Sequence, residues 1–514
     1  MKNTDDSLPN DIELLKKMVL GQQQQIDGQQ RKILTLEEAL RLERSNRFGS
    51  SSEKAPGQGE LFNEAEDSLD NTEDDSAAID QSEDSSKKVR PKRKPLPANL
   101  PRVRKVYELP ESELQCPCGC TLTEIGEDVS EQLDVIPAKF QVIQHARKKY
   151  ACKSCEDTIK TAEKPPKILP KSNASAGTLA YVITAKYQDG LPLHRLSSIF
   201  KRFDVDLSRQ TLSDWTLKTA VQCEPIIDAI QKQLTSGPVV HCDETTVQVL
   251  KEPDKTAQSK SYMWVQKGGP PDKPAVRFSY DRGRSGQVPL RLLAGYQGVL
   301  MTDGYAGYNE VAVQDGIIHL CCMAHLRRKF VDAQKSVQKK GKTQRTSKAD
   351  VAISYIAKLY AIEKMHAKSN TETRYSARQD KAKPILEAFR KWLDSSLLKV
   401  LPKSALGKAL SYADKYWDKA TRYVEAGDWP IDNNPAENAI RPFVIGRKNW
   451  LFSNTVNGAN ASATLYSLVE TAKLNMHEPY DYLRWLLTEL PKRPDGNVSG
   501  LMPWDVDPSE IKLR

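Results

Sequence analysis

The segment GPVVHCDETTVQVL, residues 237–250, decides how the middle of this chain is read. Before it, apolar residues recur at helical spacing; here they crowd into a run rich in β-branched side chains, the mark of a strand. Inside that run stands Asp243, flanked by Val239, Val240 and Val247. A carboxylate in an apolar strand is costly to desolvate unless it is paired, hydrogen-bonded or bound to metal. Its neighbour Glu244 points to the opposite face, because side chains alternate along a strand. The pattern alone does not choose between the two.

Toward the C-terminus, SYMWVQ, PAVRFSY, GVLMTD and GIIHLC read as further strands, and the last leads into a helix over AHLRRKFVDAQKS. Several strands followed by strand–helix alternation indicate a layered α/β or α+β domain. Asp303 ends one of these strands, on the edge where layered domains tend to bind ligands. It also begins an Asp-Gly pair, which is an ordinary turn. From about 345 to 427 the chain reads as helical throughout, in YIAKLYAIEKM, ILEAFRKWLDSSL and LGKALSYADKYWDKATRYVEA, an all-helical insertion. Then comes WPIDNNPAENAIRPF. Asn434 suits an N-cap, Pro435 the first helical position, and Glu437 falls three after the cap. That spacing is a capping box, a structural task for Glu437. A final helical portion ends near Leu490.

Toward the N-terminus, TLAYVITAKYQ, LHRLSSIFKRF and SRQTLSDWTLKTA form three short helices, the last with Ser208 as N-cap. Carrying Arg195, Lys201, Arg202 and Arg209, they resemble a helix-turn-helix whose last helix enters a major groove. Cys152 and Cys155 close an alternating segment as a knuckle, and CPCGC supplies Cys116, Cys118 and Cys120. A structural zinc takes four ligands from two such turns. Cys116 and Cys118 with Cys152 and Cys155 are the expected set, although Cys120 competes with the first pair. Ile12, Leu15, Val19, Gln22, Ile26, Gln29, Ile33, Leu36 and Leu40 form a heptad seam with Gln at two core positions, the pattern of a self-associating coiled coil.

Composition agrees with a nucleic-acid partner. The net charge is +9, yet Glu60–Ser86 holds eleven acids and no Lys or Arg, so the remainder carries about +20. Such a surplus favours a polyanion. The acidic tract is too poor in apolar residues to fold, and the basic KKVRPKRKPLP follows it as a tether or a phosphate contact. No run of about 18 apolar residues is present, so no membrane span is expected. MKNTDDSLPN lacks the basic and apolar regions of a secretory signal. Nine cysteines, five of them between Cys116 and Cys155, then read as reduced thiols and a metal site in the cytoplasm.

HCDETTVQVL, MTDGYAGYNEV, CCMAHLRRKF and DNNPAENAIRPFVIGRKNWLFSN, in that order, resemble the blocks of IS66-family transposases. The likeness extends to SLVETAKLNMHEPYDYLRWLL, RFGSSSEK and KYACKSC, and so spans nearly the whole chain. The first cysteine turn departs from it, since the family usually shows C-x-x-C there. The resemblance implies an RNase H-like core interrupted by the helical insertion, with Asp243, Asp303 and Glu437 as the DDE acids. Three such carboxylates suit two Mg²⁺ or Mn²⁺ ions and in-line displacement at phosphorus. Arg327, Arg328, Lys329, Arg441, Arg447 and Lys448 are candidate phosphate clamps. Cys322 and His325 pack or ligate, and Trp450 fills the core.

The expected organisation is α+β multidomain: a coiled-coil helix (8–46), an acidic then basic linker (47–105), a zinc-ribbon-like module (106–165) and helix-turn-helix-like helices (172–222). The RNase H-like core follows (236–345), then the helical insertion (346–428), the core's completion with Glu437 (429–490) and a tail (491–514). The expected partner is double-stranded DNA, at element ends and at target, which places the protein on the bacterial nucleoid when bound. Synapsis of two ends argues for a homo-oligomer, and the resemblance implies small accessory proteins from the same element. Two rivals are an RNase H-like nuclease that does not join ends and a transposase-derived DNA-binding regulator without catalysis.

Overall fold

The computed structural model describes residues 16, 19–23, 25, 26 and 29, then 140–151, 159–337, 347–493 and 496–512. Most of the heptad seam, the 47–105 linker and all five clustered cysteines lie outside the described residues. Of the seam, Val19, Gln22, Ile26 and Gln29 are helical and exposed. The chain forms two compact units, Asp74–Lys164 and the remainder, Met1–Glu73 with Pro165–Arg514.

In the first of these, β1 (Lys149–Ala151) pairs antiparallel with β2 (Ile159–Thr161). The hairpin's connecting stretch contains Cys152 and Cys155. Arg147 Nε donates to the Ala162 carbonyl at 2.6 Å and ties the hairpin's open end.

The larger unit is a mixed α+β fold. Helices α1 (Ala176–Tyr187), α2 (Leu193–Lys201) and α3 (Arg209–Gln222) come first. Ser175 and Ser208 cap α1 and α3 by accepting the N–H of Thr178 and Thr211. A fourth helix, α4 (Glu224–Thr235), was not expected; it buries Ile226, Ile227, Ile230 and Leu234. The five expected strands all form: β3 (Val239–Lys251), β4 (Lys260–Gly268), β5 (Ala275–Asp281), β6 (Gly298–Thr302) and β7 (Ile317–Cys321). Their order is β5-β4-β3-β6-β7, antiparallel from β5 to β3 and parallel from β3 to β7. The connection that carries the chain from β5 across to β6, on the far side of β3, contains the short helix α5 (Gln287–Leu292).

After β7 come α6 (Met323–Val337) and a helical stretch: α7 (Lys348–Met365), α8 (Thr371–Ala377), α9 (Lys383–Leu397), α10 (Ala405–Lys415) and α11 (Trp417–Thr421). The chain then returns to the sheet through α12 (Asn434–Trp450), β8 (Ser453–Thr455), α13 (Val456–Leu474) and α14 (Pro479–Glu489). No described helix is long and apolar enough to cross a membrane.

Two hydrophobic cores lie against the sheet, and β6 divides its side chains between them. Leu300 joins the core built with α1–α4, α12 and α13, whereas Val299 and Met301 join the core of α6 and the helical stretch. The period of two sends alternate residues to opposite faces. The edge strand β5 is covered by α13: Ser467 and Thr471, both fully buried, accept the N–H groups of Phe278 and Val276, and Thr471 also donates to the Val276 carbonyl. These bonds occupy backbone groups that an edge strand would otherwise expose.

Candidate active site

The parallel pairing of β3 with β6 sets Val239 opposite Val299, Val240 opposite Leu300 and His241 opposite Met301. This ladder ends two residues short of Asp243 and Asp303. β6 ends at Thr302, so Asp303 sits where the strand gives way to a turn. Both side chains are half-buried. Each fixes one carboxylate oxygen through a backbone amide: Glu244 N–H donates to Asp243 Oδ1 at 2.8 Å, and Tyr305 N–H to Asp303 Oδ1 at 2.7 Å. The second bond is an Asx turn, so the Asp-Gly turn and the strand-end carboxylate are one feature. Gly304 has φ +89°, and a Cβ there would meet the Tyr416 ring at 3.1 Å. Tyr412, from α10, donates its hydroxyl to the Asp303 carbonyl at 2.6 Å, which ties the helical stretch to this turn.

Glu244 takes the other side of β3. It is 2% exposed, ion-paired with Arg284 at 2.5 Å, and accepts the Tyr308 hydroxyl at 2.7 Å. Burial, with the nearby charge of Asp303, pushes its carboxyl up to about 7, and Arg284 and Tyr308 pull against that rise. Arg284 in turn stacks 3.7 Å from the Tyr305 ring centre. Of the two neighbouring acids, Asp243 is half-buried and Glu244 is buried, and the Asp303 charge reaches Glu244.

Glu437 does not cap its helix, which corrects the capping-box reading. Helix α12 begins at Asn434, one residue earlier than the spacing suggested, and its N-cap is Asn433, whose side chain makes no capping bond. Asn433, fully buried, is committed elsewhere: its Nδ2 donates to the Cys242 carbonyl at 2.8 Å, and its Oδ1 lies 3.1 Å from His241 Nδ1. Burial lowers His241 to about 4, so the ring is neutral and its Nδ1–H is the donor. The Asn433 N–H donates to Cys322 Sγ at 3.1 Å, and Met323 N–H to the Ile431 carbonyl at 3.1 Å. The loop DNN is thus fastened to β3 beside Asp243 and to the start of α6. Nothing local in the sequence signals this role of Asn433, because its partners lie 191 and 192 residues away.

Released from capping, Glu437 is buried and directed at α6. Its Oε1 lies 3.3 Å from His325 Nδ1 and its Oε2 3.4 Å from Arg328 Nη2. Cys322, His325 and Glu437 each place one ligand atom within 4.8 Å of the others; among the described residues no other group, Asp243–Asp303–Glu437 included, does so.

The basic candidates divide. Arg195, Lys201, Arg202 and Arg209 are exposed on α2 and at the start of α3, and Arg327 and Lys448 are exposed on α6 and α12. Lys329 and Arg441 are partly buried, and Arg328 is engaged with Glu437. Arg447 is 6% exposed and donates from Nη1 to the hydroxyls of Thr245 and Thr246 at 3.2 and 3.4 Å. Desolvation lowers its guanidinium to about 10. These bonds brace α12 against β3. Trp450 packs edge-on against Phe443 at 5.4 Å, in the core.

A family model described as "Transposase IS66 family" matches residues 171–461, more than half of the chain and all of the sheet. Flanking matches are "zinc-finger binding domain of transposase IS66" at 113–156, "Transposase C of IS166 homeodomain" at 35–104 and "IS66 C-terminal element" at 467–504. Two similar proteins come from Sinorhizobium fredii. The uncharacterized protein y4qI is 33% identical over 440 residues, covering 82% of this chain and 80% of the relative. The uncharacterized protein y4jD is 31% identical over 428 residues, covering 80% and 81%.

Proposed function

This chain belongs to the IS66 family of transposases, and from that premise we propose that it cuts the ends of an insertion element and joins them to target DNA at Asp243, Asp303 and Glu437. The observation that carries this reading is the placement of Asp243 within β3 and of Asp303 just past the end of its parallel neighbour β6, with the loop before Glu437 bonded to β3. The sheet order, three antiparallel strands continued by two parallel ones, supports an RNase H-like core.

The donor set fits hard divalent cations. Asp243 and Asp303 offer oxygen at a half-open strand edge, as Mg²⁺ and Mn²⁺ require. Two such ions, held by Asp243, Asp303 and Glu437, would supply the charge that favours in-line attack on a phosphodiester by water or a DNA 3′-hydroxyl. The chain's own part is orientation. Backbone amides fix the two aspartates, and His325 with Arg328 holds Glu437. Arg195, Lys201, Arg202 and Arg209 form the exposed face offered to duplex DNA, with Arg327, Lys329, Arg441 and Lys448 as further phosphate contacts. Arg447 is left out of that set because it is buried against β3. Zinc at Cys116, Cys118, Cys152 and Cys155 would organise the separate hairpin unit. A homo-oligomer, held in part by the exposed seam of Val19 and Ile26, would bring two ends together.

The test is incubation of labelled element-end DNA with Mg²⁺ or Mn²⁺, comparing the parent with Asp303→Ala. Release of 3′-hydroxyl ends and their joining by the parent alone supports the proposal. DNA binding without cutting by the parent, with the element's accessory proteins supplied, would replace it with a DNA-binding regulator; cutting without joining would leave a nuclease.

A further inference from the structure

Where the DNN loop meets β3 and the start of α6 lies a donor set of different chemistry. Cys322 is the residue between β7 and α6, His325 is in the first turn of α6, and Glu437 is in the first turn of α12. All three are buried, at 2%, 6% and 7% exposure. Glu437 Oε1 sits in this enclosure and accepts no hydrogen bond, though carboxylate oxygens out of water ordinarily do. His325 Nδ1 is the nearest cation-forming group, at 3.3 Å, and Arg328 holds only the other oxygen. The sulfur is oriented as well: the Asn433 N–H donates to Cys322 Sγ at 3.1 Å, an outer bond that fixes its position.

The geometry points to a transition-metal site formed by Cys322 Sγ, a His325 ring nitrogen and a Glu437 oxygen, taking an ion of the zinc class and leaving a fourth position open. Sulfur, imidazole and carboxylate together match the ligand types of four-coordinate zinc, whereas Mg²⁺ avoids sulfur. Bonds of about 2.0–2.3 Å in a tetrahedron separate ligand atoms by about 3.3–3.8 Å. The three atoms already lie within 4.8 Å, so side-chain rotation of the order of 1 Å closes the set. Thiolate and carboxylate balance the divalent charge, while Arg328 stays on the outer carboxylate oxygen. That Glu437 would be shared with the cutting site rests on the function proposed above; the site itself does not.

The test is Co²⁺ titration of the full-length chain, counting tightly bound metal and reading thiolate-to-cobalt absorption. Parent, Cys322→Ser and His325→Ala proteins are compared, each checked for an unchanged melting transition. The parent is expected to bind one equivalent more than either variant, with no loss of that equivalent under a hundredfold excess of Mg²⁺. If Cys322→Ser does not fold, His325→Ala decides alone, since it leaves the thiolate in place. Equal stoichiometry in parent and folded variant overturns the site and leaves His325 as a positioning residue for Glu437. Because the readout is bound metal, the result is independent of whether the chain cuts DNA.

Discussion

Two buried charges, one in the helical stretch and one beside the sheet, are treated in opposite ways. Arg378, 2% exposed, donates to both oxygens of Glu363 at 2.9 and 2.7 Å, to the Tyr423 and Trp429 carbonyls at 2.9 and 3.0 Å, and to the Ala426 carbonyl. Glu437, 7% exposed, has contacts of 3.3 and 3.4 Å and an oxygen that accepts no hydrogen bond. A saturated buried charge fixes a fold, because every donor would otherwise pay its desolvation alone. An under-satisfied one is kept at a cost to stability, and such groups concentrate where a ligand completes them. Read this way, Arg378 locks the helical stretch and Glu437 waits for a partner.

The comparison breaks first at Arg378. Arg378→Ala is expected to destabilise the larger unit by about 3–5 kcal/mol in urea unfolding, since it strands Glu363 and three carbonyls. A loss below about 1 kcal/mol would mean the network is ornamental.

Glu244 gives the next effect, and its sign is set by the direction of its shift. Its carboxyl lies at about 7 in the fold against an ordinary 4.5, so the native state binds the extra proton between those values. Stability from this group is full below about pH 4.5 and is lost as pH rises toward about 7, then levels off. The difference in stability between parent and Glu244→Gln should therefore slope with pH in that window and be flat above it. A flat difference throughout would mean Arg284 keeps Glu244 ionised across the window.

Smaller still is Gly304→Ala. At φ +89° against the Tyr416 ring it should cost about 1–2 kcal/mol in thermal unfolding, and it should displace the Asp303 turn. Activity falling further than stability would show that the turn positions Asp303. The smallest stability effect is the most telling: Glu437→Gln should change unfolding free energy by no more than about 1 kcal/mol in either direction. A loss comparable to that of Arg378→Ala would erase the contrast.

Much of this was legible from residue pattern. The five strands from β3 to β7 were marked by β-branched runs, and Ser208 by its place before a periodic helix. The run read as one helix over 406–426 is broken at Tyr416, where α10 ends and α11 starts. Helix α4 does show its spacing in Ile226, Ile227, Ile230 and Leu234, but it follows α3 so closely that the two merge. β8 is three polar residues whose partner is β3, and no local pattern announces it. At the site, the two aspartates stood out as charges at strand positions. Glu437 stood out locally only by a capping-box spacing, which a one-residue shift of the helix start dissolves; its place among the acids came from the family resemblance. Asn433 and Arg378 were missed outright: polar side chains in polar stretches look solvated until tertiary partners are known.

The most direct measurement is end joining by Glu437→Gln against the parent, with Mg²⁺, accessory proteins and both element ends supplied. The variant is expected to fold and bind end DNA like the parent while cleavage and joining fall on the order of 10³-fold or more. Joining at the parent's rate by a folded Glu437→Gln protein would contradict it, and would remove this residue from the catalytic set.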